Sequence, residues 1–79
     1  MNAAVSLALS ALDVRVLRAT DPFRERTAAR VAGMVGCSED VVSSCLRRLR
    51  GAMLVEIDGC RPPGWLRTRD GDMALEHRP

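Results

Sequence analysis

The stretch from Thr27 to Leu49 constrains this chain more than any other. Read at helical spacing, Val31, Val35, Val42, Cys45, Leu46 and Leu49 all fall on inward faces. Gly36-Cys37-Ser38 interrupts the two apolar runs, and Ala32 is small at the point where two helices have to touch. Ser38 is a strong N-cap, and Glu39 and Asp40 stand against the positive end of the helix dipole that begins there. Two short helices crossing steeply through a three- or four-residue turn that contains glycine make a helix-turn-helix. The remainder of the chain has to pack on that pair.

Seventy-nine residues form one domain, taken as 1–79, with a core near the lower limit for unaided folding. An apolar content of 47% excludes a disordered chain. Phe23 and Trp65 are the only aromatic residues, so the core is aliphatic. No apolar run reaches membrane-spanning length and the start lacks the basic residues of a secretory signal. The expectation is a cytoplasmic protein with no membrane partner. All twelve basic residues are arginine, which fits a GC-rich genome such as that of an actinobacterium or its phage. The net charge of +2 is too small to carry a functional argument, but its distribution is not. Residues 1–23 are neutral, residues 24–69 hold nine arginines against five acids, and residues 70–79 hold one arginine against three acids. The surplus lies on the helix-turn-helix and on the segment C-terminal to it.

Ser10 with Asp13 three residues later reads as a capping box for a first helix over 10–19, with Leu12, Val16 and Leu17 inward. Residues 1–9 form either an N-terminal arm or a backward extension of that helix. Thr20-Asp21-Pro22 ends it, because a residue before proline avoids helical geometry. The helix-turn-helix occupies 25–50: helix two from Glu25 or Thr27 to Val35, then helix three to about Arg50, with Gly51 as its stop. Met53 to Asp58 reads as a strand, the Gly59–Gly64 segment as a loop, and Trp65 to Arg69 as the return strand, giving a hairpin over 54–69. Asp70-Gly71 is expected to break that strand before a tail over 70–79, with a short helix from Asp72 to about Glu76. The fold class is mainly α with a small β-hairpin.

This order of helix, helix-turn-helix and hairpin resembles the winged helix-turn-helix, and particularly the core of MarR-type bacterial and phage regulators, over about residues 10–75. Val31-Ala32, the Gly36-Cys37-Ser38 turn, Val42, Leu49 and Met53-Leu54-Val55 carry the resemblance, and Thr68-Arg69-Asp70-Gly71 is similar to the threonine-x-x-glycine that closes the hairpin there. Two departures stand out. Met53 occupies the place where that group usually has glycine, and the long dimerisation helices flanking the family core have no counterpart here. The resemblance implies a three-helix core plus wing, with helix three in the major groove of double-stranded DNA and the wing on the backbone or minor groove.

On helix three the outward positions are Glu39, Asp40, Ser43, Ser44, Arg47 and Arg48, since the core takes the others. Arg47 is the leading candidate for a base contact, because arginine bridges guanine O6 and N7. Ser43 and Ser44 are donors for bases or phosphates. Glu39 and Asp40 repel phosphate unless one accepts from a cytosine amino group or serves the helix end. Arg61, stiffened by two prolines at the hairpin tip, suits minor-groove or backbone contact, with Arg67 and Arg69 on the return strand and Arg24, Arg26 and Arg30 at the motif's entrance. The candidate DNA-binding set is Arg26, Ser38, Asp40, Ser43, Ser44, Arg47, Arg48, Arg61, Arg67 and Arg69. Plainer roles compete: a solvated face for Arg47, Arg48 and Arg50, a cap for Ser38, and a cover over the core rather than a stacking platform for Trp65. Cys37 and Cys45 read as core thiols, and Cys60 as an exposed one with a redox or metal-sensing role as the alternative. His77 lies in the tail and is no convincing metal ligand. No cofactor, metal or catalytic constellation is expected, so an enzyme has no support.

Sequence-specific DNA binding by a small transcriptional regulator (repressor, Cro-like or excisionase-like) is the function these features imply. The alternative is a winged-helix module that binds a protein of the transcription machinery or another host factor without reading DNA. A homodimer through residues 1–19 is a further expectation, with Val5, Leu7 and Leu9 as spare apolar residues.

Overall fold

A computed structural model describes residues 8–76. The first helix, α1 (Ala11–Ala19), starts at a complete capping box. Ser10 Oγ accepts from the Asp13 amide at 3.0 Å and the Ser10 amide donates to Asp13 Oδ2 at 2.9 Å. Val14, Val16, Leu17 and Ala19 form its inward face. At the other end Thr20 caps the helix, and its buried hydroxyl donates to the Leu17 carbonyl.

A two-residue strand, β1 (Arg26–Thr27), replaces the expected early start of helix two. Two residues carry no readable alternation; pairing with a distant strand makes them β. Thr27 is also the N-cap of α2 (Ala28–Val35), its hydroxyl accepting from the Arg30 amide. Gly36 then takes a left-handed conformation, φ 74°, which a side chain would resist. Ser38 caps α3 (Glu39–Gly51) by accepting from the Val41 amide.

Gly51 is not the expected stop, because it lies inside the last turn of α3. The chain turns instead at Met53, a left-handed residue with φ 65° and a largely exposed side chain. The geometry usually given to glycine is therefore kept, with methionine bearing the strain. Two further strands complete the sheet, β2 (Val55–Ile57) and β3 (Gly64–Arg67), paired antiparallel with Ile57 opposite Trp65 and Val55 opposite Arg67. On its other side β3 pairs with β1, so the sheet has order β1-β3-β2 and three strands rather than a bare hairpin.

The last element, α4 (Arg69–Glu76), begins three residues before the expected tail helix. Asp70-Gly71 does not break the chain; it sits inside the first turn. Thr68 closes that turn by accepting from the Gly71 amide at 3.0 Å while donating to the Met53 carbonyl at 2.7 Å. Glycine is needed at 71 for contact rather than for turning, since a Cβ there would collide with the Leu54 carbonyl oxygen.

Val16, Leu17, Val31, Val42, Leu46, Leu49 and Val55 form the aliphatic centre, and Trp65 closes it from the sheet at 4% exposure. The indole therefore covers the core and is no stacking platform. Cys45 is buried with them, Cys37 is half-buried and Cys60 is exposed. Leu9 and Leu12 pack against the edge of the cluster. Val5, Leu7 and His77 lie outside the described residues. No helix among the described residues is long and apolar enough to cross a membrane.

Candidate nucleic-acid interface

Helix α3 presents two flanks. On one, Glu39, Ser43, Arg47 and Arg50 face the start of α2 (Thr27, Ala28, Ala29) and the wing residues Ile57, Pro62, Pro63 and Trp65 across a groove of about 440 Å³. On the other, Asp40, Val41, Ser44 and Arg48 face Leu12 near the start of α1. Core packing through Val42, Cys45, Leu46 and Leu49 fixes this orientation. Arg50 joins the wing-side flank although it is absent from the candidate set. Its spacing of three from Arg47 and seven from Ser43 is the signal that could have found it.

The arginines divide by partner. Arg47 is exposed and touches only the Ser44 hydroxyl, at 3.3 Å. Arg50, Arg61 and Arg69 are also exposed, and no ion pair involves them among the described residues. Three members of the candidate set are instead engaged by the protein itself. Arg67 Nη1 donates to the Leu17 and Thr20 carbonyls, both at 3.0 Å, and its Nε meets Asp72 Oδ1 at 2.5 Å. Arg26 Nη1 donates to the Ala19 carbonyl at 2.7 Å, with Asp21 beside it at 3.7 Å. These two strand arginines donate to carbonyls at the C-terminus of α1, that of Leu17 being shared with Thr20, where the dipole favours a cation. The sequence predicts both as DNA contacts, and in the structure their guanidinium groups are bonded within the fold instead. Arg48 Nη2 pairs with Asp13 Oδ1, so it too is committed within the fold, although its side chain stays 55% exposed.

Asp13 is the site residue that pattern alone does not single out. Its sequence context marks only a cap, yet it is 4% exposed and also accepts from the Cys45 thiol at 3.2 Å. Burial pushes its pKa up, but the Ser10 amide, the Cys45 thiol and the Arg48 guanidinium outweigh this and hold the carboxyl below its ordinary range. The same environment, burial first and then the Asp13 carboxylate, pushes the Cys45 thiol up to about 12. Cys45 is therefore a structural thiol.

The wing is tied off by Asp58. Its Oδ1 accepts from the Cys60 and Gly64 amides, both at 2.9 Å, and these bonds hold the carboxyl below its usual range. Arg61 projects from this closed loop into solvent. Asp58 also pushes the neighbouring Cys60 thiol up, which disfavours the thiolate that redox or metal chemistry requires. Among the described residues no three His, Cys, Asp or Glu side chains are grouped to hold a metal ion. The Ser38 hydroxyl is engaged as a cap, leaving Asp40, Ser43 and Ser44 as the other members of the set on the outer surface of α3.

No protein-family model matches the chain, and no curated protein does. Solved structures do. BpsR of Bordetella bronchiseptica, whose DNA binding is described as regulated by 6-hydroxynicotinic acid, superposes with a TM-score of 0.80 at 21% identity, over 90% of this chain and 53% of that one. A MarR family transcriptional regulator from Silicibacter pomeroyi superposes with a TM-score of 0.80 at 22% identity, over 94% of this chain and 50% of that one. The chain thus has the MarR-like winged-helix fold and spans about half the length of these structures.

Proposed function

We propose that the chain binds double-stranded DNA as a transcriptional regulator, with α3 in the major groove and the wing along the backbone or minor groove. The observation that carries this reading is the pair Arg47 and Arg50, exposed and outside any ion pair among the described residues, on the flank of α3 that faces the wing bearing Arg61. Arg47 reads a base, Ser43 and Ser44 donate to bases or phosphates, and Asp40 either accepts from a cytosine amino group or restricts which sequences approach. Arg61 contacts the backbone, and Arg69, expected on the return strand but found as the first residue of α4, adds charge just beyond the wing. The role is that of a small repressor, Cro-like or excisionase-like, in the cytoplasm. One module covers little DNA, so tight binding needs two copies on adjacent half-sites, joined through residues 1–19.

Mobility shifts with random and selected duplexes across a salt series test this. Arg47→Ala is expected to lower discrimination between sequences, whereas Arg61→Ala weakens all duplexes alike. Absence of any shift at low salt would remove the DNA reading. The competing module that docks on a transcription or host protein draws support from Glu39 and Asp40 at the leading end of α3 and from Phe23, 89% exposed. A sedimentation series that finds only monomer at high concentration would remove the dimer.

A further inference from the structure

Arg47 and Arg48 are neighbours in sequence, yet their electrostatic situations are opposite. The guanidinium of Arg47 has only a hydroxyl beside it. The guanidinium of Arg48 is the counter-charge of a buried carboxylate. Asp13 Oδ2 is taken by the Ser10 amide, and Oδ1 is shared by the Cys45 thiol and Arg48. Of those partners only Arg48 carries charge. The Ser10 amide and the Cys45 thiol stay with the carboxylate in any case, but its only counter-charge is Arg48, so transferring Arg48 to a phosphate costs the fold the neutralisation of Asp13. Asp40 stands on the same flank, and with Arg48 neutralised by Asp13 the three charges there sum to −1. The flank facing the wing holds Arg47 and Arg50 against Glu39 alone and is net positive.

We infer that Asp13 is a positioning residue for DNA recognition: by holding Arg48 it keeps one cation of α3 off the phosphates and tilts the duplex toward the flank of Arg47, Arg50 and the wing. This inference rests on the DNA-binding reading and adds to it a built-in restraint on non-specific binding. The restraint acts through α1, an element that makes no DNA contact in the proposed mode.

The test is the salt dependence of binding to a random-sequence duplex, followed by fluorescence anisotropy for the unmodified chain, Arg48→Gln, Asp13→Asn and the double variant. All four are measured below their melting temperatures. Each phosphate neutralised contributes about 0.9 to the slope of log affinity against log salt. Arg48→Gln is expected to leave the slope unchanged. Asp13→Asn is expected to steepen it by about 0.9 and to tighten non-specific binding, and the double variant to restore the original slope. In the unmodified chain, the guanidinium resonances of Arg47 should shift on adding duplex while those of Arg48 stay in place. This measurement decides the matter even where Asp13→Asn does not fold. A slope that falls by about 0.9 in Arg48→Gln, a folded Asp13→Asn with an unaltered slope, or an Arg48 resonance that moves with duplex would overturn the inference alone. No salt-dependent binding by the unmodified chain would overturn the DNA reading beneath it.

Discussion

Among single residues, two side chains sit under opposing forces. Met53 holds a left-handed backbone with its side chain in water, so it carries strain with little burial in return. Met53→Gly is expected to stabilise the fold by about 1 kcal/mol, seen as a higher denaturant midpoint at unchanged slope. Asp13 carries the acid limb of stability. Its folded pKa is held below the ordinary 3.8, so its stabilisation is fully present above that value and is lost as pH falls through the lower folded value. Asp13→Asn should cost about 2 kcal/mol at neutral pH, a figure reduced for the half-exposed guanidinium. The gap between variant and unmodified chain should then narrow in melts at pH 3. Asp21 and Asp58 are lowered in the same sense and leave a residual acid limb.

Within the helices and strands, glycines with identical side chains do unlike things. Gly71 lies where α4 crosses the entry to β2, and an added Cβ would collide with the Leu54 carbonyl. Backbone cannot retreat as a side chain can, so Gly71→Ala should destabilise by about 2 kcal/mol or more. Gly51 sits in the last turn of α3 with open space around it, and Gly51→Ala should stabilise by about 0.5–1 kcal/mol. Thermal melts of the two variants should move in opposite directions. Arg67 joins its own strand β3 to α1 and α4, through the Leu17 and Thr20 carbonyls and through Asp72. Arg67→Gln should lower stability by about 2 kcal/mol, whereas Arg61→Ala at the solvent-exposed wing tip should leave it unchanged. Much of this level of structure is legible in the chain. Ser10, Ser38 and Gly36 act where their local chemistry demands. The strand β1 and the start of α4 are not legible, because two residues show no period and because Asp70-Gly71 carries the composition of a turn.

Across the molecule, the arginine surplus is smaller than its count. Nine arginines fall within residues 24–69, but Arg26, Arg48 and Arg67 are paired with Asp21, Asp13 and Asp72. The cations left for phosphate in that stretch are Arg24, Arg30, Arg47, Arg50, Arg61 and Arg69. The salt slope of duplex binding should therefore be no steeper than about −5 per chain, against the roughly −8 that nine contacts would produce. Anisotropy titrations over a range of salt concentrations measure it directly, and a steeper slope would return one of the paired arginines to the interface.

The apolar periods, the caps and the glycine turn are written in the order of residues alone, because burial and backbone dihedral preference act over a few positions and leave a local record. The task of each arginine is not written there; folding assigns it. Arg48 meets Asp13 across 35 positions and Arg67 meets Leu17 across 50. A guanidinium looks the same in a string of letters whether it faces a phosphate or a buried carboxylate. The distance between charges, which settles its role, exists only once the chain has folded.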